Sequence, residues 1–129
     1  MNTTGKREIK FRAWDKKENR MREVSMLDTS MNGIEHQAQY YGEGNHTYLR
    51  DIDLMQFTGL KDKNGIEIYE GDILQWFLTD GVTPSSTHVV KWGEWDNGHD
   101  GSYTGFELES SSTKIMEVIG NIYENPELL

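Results

Sequence analysis

The chain of 129 residues contains no cysteine. That excludes a disulfide framework, a thiolate metal site and a cysteine nucleophile. The absence fits a reducing compartment, and the expected location is the cytoplasm. Long apolar runs are missing too. Nothing approaches the roughly 20 apolar residues of a membrane span, nor the h-region of a signal peptide, so no membrane association is expected. Catalytic signatures are equally scarce: there is no Gly-x-Ser-x-Gly, no Walker loop and no Gly-x-Gly-x-x-Gly. The histidines are His36, His46, His88 and His99, and no two stand four apart as zinc-binding helical pairs do. His36 and His46 share a poorly patterned segment and could meet at a metal, but their spacing favours ordinary surface histidines. No enzymatic activity, cofactor or metal is therefore expected.

What the chain does have is charge and aromatic area. Hydrophobic residues make up 35%, including four Trp, six Tyr and four Phe. The core must be modest and should lean on the aromatics, each of which can bury roughly 150–250 Å². The net charge of −9 is unevenly spread. Residues 1–22 hold eight basic groups against three acids, a balance of +5, while residues 23–129 hold five against nineteen, a balance of −14. An acidic body with a basic head can bind an acidic partner, pair with itself, or simply present a solvated hairpin.

From Arg7 to Trp14 the pattern alternates, with Ile9, Phe11 and Ala13 on one side and Glu8, Lys10, Arg12 and Trp14 on the other. Asp15 to Asn19 is a polar turn. Met21 to Leu27 returns as a second strand, a helix being the competing reading, so residues 7–22 predict the core of a β-hairpin. Residues 28–48 contain several glycines and little periodicity, which suggests loop or weak strand. Strand character resumes from Leu49 to Phe57.

The stretch 54–76 has the most consistent local signals. Asp62-Lys63-Asn64-Gly65 predicts a type I turn. Ile66 and Ile68 alternate with Glu67 as in a half-buried strand. Glu70-Gly71-Asp72 breaks the chain again before a strand over 73–78.

Beyond it, 79–86 is turn-rich, 88–92 a short strand, 93–105 a long glycine-containing loop, and 106–109 alternates. Residues 114–123 read as a strand in which Gly120 marks a bulge or close backbone approach. Asn125-Pro126-Glu127 suits one capped turn at most. Short strands punctuated by turns predict a small, mainly β barrel or sandwich with little helix.

Two stretches invite a binding role. Asp96, Asp100, Gly101 and Glu107 occupy the first, fifth, sixth and twelfth places of a calcium loop. However, the third place is Gly98 and the flanks read as strands, so a Gly/Asp-rich connection is expected. The basic head is the other candidate. Lys10, Arg12 and Trp14 share a strand face, and with Lys17 and Arg22 they form the candidate partner-binding set. A cationic, aromatic face can stack on nucleic-acid bases, but a pI near 4.8 opposes contact with a polyanion.

Three blocks also resemble proteins of the YopX family. They are Arg7 to Asp15 (REIKFRAWD), Met55 to Gly65 (MQFTGLKDKNG) continuing through Ile68 to Ile73 (IYEGDI), and Glu117 to Leu128 (EVIGNIYENPEL). Residues 25–50 and 77–105 carry no such block. The resemblance implies a protein encoded by phages or prophages with an SH3-like barrel in its second half. The expected organisation is therefore an SH3-like β-barrel over 54–129, preceded by an N-terminal hairpin and variable loop region over 1–53 packed on it as one structural unit. In that scheme Tyr69 to Ile73 enters the barrel and is scaffold. The resemblance brings no activity, cofactor or catalytic residue. The function expected is a non-enzymatic accessory module that binds a phage or host protein. The alternatives are nucleic-acid binding through the 7–22 hairpin, an acidic DNA mimic that inhibits a host protein, and self-association into a homo-oligomer.

Overall fold

In a computed structural model the chain is mainly antiparallel β, with the structure describing residues 8–28, 36–42, 44, 46–96, 102–106 and 114–129. Among these there is no α-helix, only short 3-10 turns. The chain divides into two compact units, residues 1–57 and 58–129.

The first unit starts with the predicted hairpin, β1 (Phe11–Asp15) and β2 (Arg20–Asp28), which decides strand over helix for residues 21–27. Strands β3 (Gln37–Tyr40) and β4 (His46–Tyr48) add outward from β2, so the segment expected to be loop or weak strand supplies two short strands. A 3-10 turn over Leu49–Asp51 then leads into β5 (Ile52–Lys61), whose first residues pair with the other edge of β1. The order in this unit is β4-β3-β2-β1-β5.

The register opposes Ala13 to both Arg22 and Leu54, and Asp15 to Ile52, so these five side chains share one face. Ala13, Val24, Ala38, Tyr40 and Ile52 make the core there, with Phe11, Leu27, Leu49 and Leu54 against it. Each fully buried Val or Ile contributes about 1.5–3 kcal/mol. Ile9, predicted to join Phe11 and Ala13, lies before the strand begins and is 75% exposed.

The second unit takes the end of β5 and then β6 (Glu67–Tyr69), β7 (Asp72–Phe77), β8 (Pro84–Val89), β9 (Trp92–Asp96), β10 (Ser102–Phe106) and β11 (Met116–Asn121). Here β5 lies beside β6, β7 sits between β11 and β8, and β9 pairs with β10. Among the described residues these ladders do not close into a ring, so the chain is β-sheet without the closed barrel expected over 54–129. Ile68, Leu74, Val90 and Met116 form the core, with Leu60, Trp76 and Val118 packed against it. It is more aliphatic than the composition suggests. No Trp stands among the buried described residues, and Trp92 is nearly half exposed.

Local turn chemistry organises this unit. Asp62 accepts from the amides of Asn64 and Ile66 through Oδ1 (2.8 and 2.9 Å) and from Val118 through Oδ2 (2.9 Å). Its own carbonyl accepts from Gly65 N at 3.0 Å, which closes the predicted four-residue turn. Ile66 belongs to that turn and is exposed; only Ile68 reaches the core.

Gly71 adopts φ +87°, a backbone that disfavours any side chain. Beside it the buried Asp72 takes the Tyr69 amide at 2.7 Å. At Gly120 the expected bulge holds, since the β11–β7 register shifts there, and the close approach is to a side chain: a Cβ would stand 2.5 Å from Asn125 Oδ1. That approach also explains why Asn125 fails to cap the final 3-10 turn, Pro126–Leu128. Its Oδ1 accepts from the Asn121 amide instead, at 3.2 Å.

The predicted loop over 93–105 is replaced, where described, by the β9–β10 ladder, whose register pairs Trp92 with Phe106 and Trp95 with Tyr103. Aromatic residues favour strands strongly enough to offset the glycines between them.

Candidate functional site

The site is built on the hairpin turn of the first unit. Asp15 ends β1, and its Oδ1 accepts from the amides of Lys17 (2.9 Å) and Glu18 (3.1 Å) while its carbonyl accepts from Asn19 N (2.8 Å). Asn19 turns the chain with φ +53°, a conformation Asn tolerates better than most residues. Oδ2 accepts from Arg22 Nη1 at 2.7 Å, and both side chains of this pair are more than 90% buried. The Arg22 guanidinium lies 3.9 Å from the centroid of the Tyr40 ring, which provides a π face for the buried cation. Burial pushes the Asp15 pKa up, but the Glu18 amide, the Arg22 guanidinium and the Lys17 amide together outweigh it and hold the carboxyl below its ordinary value.

Around this turn lies an open cleft of about 450 Å³, lined by Asp15, Lys17, Glu18, Arg22, Gly44, His46, Thr47, Tyr48 and Asp51. Asp51 arrives through the 3-10 turn before β5, where its carbonyl accepts from the Lys16 amide at 3.2 Å. Its carboxylate meets Lys17 Nζ at 3.3 Å. Glu18 binds Arg20 at 2.8 Å and reaches Arg22 at 3.6 Å. Strand β4 contributes His46, Thr47 and Tyr48 to the lining, and His46 and Tyr48 meet edge to face with ring centroids 6.1 Å apart. The lining thus holds three carboxylates and two permanent cations, and both cations are already ion-paired.

The five residues singled out by sequence fall into two groups. Lys17 and Arg22 line the cleft, one at its exposed mouth and the other buried in its wall. Arg12 and Trp14 lie on the opposite face of β1, since Arg12 pairs with Glu23 and Trp14 with Met21 while Ala13 pairs with Arg22. Lys10 precedes β1, binds Glu8 at 3.3 Å and lies 4.9 Å from the centre of the Phe57 ring. The set therefore does not form one continuous basic face.

Sequence reasoning missed the β4 wall and Asp51. The only local hint was the Asp15–Asn19 turn, because the wall is brought in by strand pairing. His36 and His46 do not make a metal set, and no three His, Cys, Asp or Glu converge on one among the described residues. Most of the calcium-loop coincidence (Gly98, Asp100, Gly101 and Glu107) lies outside the described residues. No helix among the described residues is long and apolar enough to cross a membrane.

The fold and cleft define a mainly β protein whose first unit carries a polar cavity lined by ion-paired side chains. A family model described as YopX protein matches residues 10–129, and the chain belongs to the YopX family. Among solved structures it is similar to protein EF1440 from Enterococcus faecalis. The identity is 29% and the TM-score 0.59, over 96% of this chain and 99% of that one. No curated protein matches it.

Proposed function

We propose that the chain is a phage- or prophage-encoded accessory protein that works in the bacterial cytoplasm by docking a protein partner at the cleft of its first unit, without catalysis. In this reading the second unit is scaffold, an SH3-like arrangement held by the Asp62 and Asp72 carboxylates rather than by barrel closure. The carrying observation is the internal ion pairing of the cleft. Its two permanent cations are ion-paired to its own carboxylates, so it suits the mixed polar surface of a protein better than a run of phosphates. The division of Arg12 and Trp14 from Arg22 across the sheet weakens the nucleic-acid alternative in the same way.

Filling the cleft tests the reading. The folded chain and its Thr47→Trp variant are used as baits in host and phage lysate. A protein captured by the parent and lost with Thr47→Trp, at unchanged melting temperature, is the expected result. Equal capture by both would refute it. Fluorescence anisotropy with single- and double-stranded DNA should show no binding that Lys10→Glu or Arg12→Glu removes.

A further inference from the structure

The turn before β6 carries an Asn-Gly pair, Asn64-Gly65, and both residues are exposed. Such a pair can modify itself, because glycine has no side chain to shield its amide nitrogen from the carboxamide of the preceding asparagine. Here the reacting groups are held. The Gly65 amide donates to the Asp62 carbonyl at 3.0 Å, and the Asn64 amide donates to Asp62 Oδ1 at 2.8 Å. The leaving nitrogen, Asn64 Nδ2, donates to Glu117 Oε1 at 3.3 Å. Asp62 is buried and also takes the Val118 amide, so the same carboxylate ties the turn to β11. An amide that already donates inside a closed turn cannot swing onto the neighbouring carboxamide, so attack requires local opening. The pairs Asn32-Gly33 and Asn97-Gly98 lie outside the described residues.

We propose that Asn64 is a site of spontaneous covalent modification, deamidation through the Gly65 amide, and that Asp62 and Glu117 set its rate. The Gly65 nitrogen gives its proton to solvent base and bonds to Asn64 Cγ. The Cγ–Nδ2 bond breaks, and Nδ2 takes up a proton and leaves as ammonia. Water then opens the cyclic succinimide at either carbonyl. Opening at Cγ leaves aspartate, and opening at the main-chain carbonyl leaves isoaspartate. No electrons are gained or lost, and the net exchange is water for ammonia. The new carboxylate cannot donate to Glu117, and it stands beside Asp62 in a unit where residues 58–129 hold four bases against thirteen acids, a balance of −9. Modification therefore loosens the hold of the turn on β11, an irreversible ageing step in the second unit.

The test incubates the folded full chain in mildly alkaline buffer made with ¹⁸O-labelled water and follows residue 64 by peptide mass mapping. The parent should gain solvent oxygen there, as aspartate and isoaspartate, slowly when folded and faster in urea. Glu117→Ala frees Nδ2 and should speed conversion in the folded chain about two- to tenfold, the effect of one hydrogen bond on the open population. Glu117→Gln keeps an acceptor oxygen and should stay close to the parent. Glu127→Ala removes an exposed carboxylate elsewhere in the unit and should change nothing. Should Glu117→Ala disturb folding, the parent supplies a second readout: conversion and Gly65 amide exchange should rise together in urea below the unfolding transition. The site is overturned if residue 64 of the folded parent gains no solvent oxygen. Control by the two carboxylates is overturned if the folded parent converts as fast as the unfolded chain, if Glu117→Ala matches the parent, or if Glu127→Ala accelerates conversion equally.

Discussion

Asp15 and Arg22 face each other across the first hairpin, joined at 2.7 Å, with both side chains nearly removed from water. The pair stands on the same sheet face as the apolar core, because the register sets Arg22 opposite Ala13. Two buried charges cost desolvation that their mutual attraction must offset, and removing one partner strands the other. Arg22→Met should therefore cost about 3–5 kcal/mol in urea unfolding. Asp15→Asn should also destabilise, and the double variant should lose less than the sum of the two. Additive losses would show that the pair is uncoupled.

The same pair sets an acid dependence. The Asp15 carboxyl titrates lower in the folded chain than its ordinary value of 3.8, against the upward push of burial. A carboxyl lowered on folding contributes stability above its unfolded pKa and loses it as pH falls through the folded one. Stability should hold above about pH 4 and decline below, and Asp15→Asn should flatten that decline. A parent profile unchanged by the substitution would contradict the assignment.

Asp80 offers a second titration at the β7–β8 connection. The Thr83 hydroxyl and amide and the Val82 amide hold its carboxyl at about 2. A carboxyl NMR titration should give a midpoint about 2, with the Val82 and Thr83 amides shifting together. A midpoint near 4 would mean that this loop does not hold its turn in solution.

In the second unit, the Asp62 carboxylate receives three amides, one of them from β11. Asp62→Ala leaves these donors without a partner and should cost about 3 kcal/mol, at roughly 1–3 kcal/mol per buried unsatisfied group. Hydrogen exchange should speed up at Val118 as well as within the turn. Faster exchange in the turn alone would show that the cross-link to β11 contributes nothing.

Gly120 and Asn125 test packing at the C-terminal end. Gly120→Ala drives a methyl against Cβ, Cγ and Oδ1 of Asn125, all within 3 Å, and should cost about 1–3 kcal/mol. Adding Asn125→Gly removes all three of those atoms, so the double variant should melt above the sum of its parts. Strict additivity would place the strain elsewhere.

These residues also mark how far the sequence could be read. The Asp62 turn, the Asp15–Asn19 turn and Gly120 were legible because their chemistry is local, written within a few residues. The cleft was not, since Lys17 meets Asp51 only after β1 has paired with β5, and the His46–Tyr48 wall joins only through β3. Arg22 looked like surface because an isolated arginine usually is; burial becomes tolerable once Asp15 and Tyr40 surround it. The β9 and β10 strands were hidden by glycines that interrupt alternation, and Ile66 was over-read because the turn extends one residue further than its dipeptide signal. Membership of the YopX family was readable from three short blocks, whereas the lack of barrel closure among the described residues was not.

The claim that the cleft, and not the outer face of β1 and β2 that carries Arg12, receives the partner can be tested with one photo-crosslinking pair. A crosslinking residue is placed at Thr47 on the cleft wall, and another at Glu23, exposed on the opposite face beside Arg12. Irradiation in the bacterial host should give a discrete protein adduct from position 47 and none from position 23. An adduct from position 23 with none from position 47 would contradict the account.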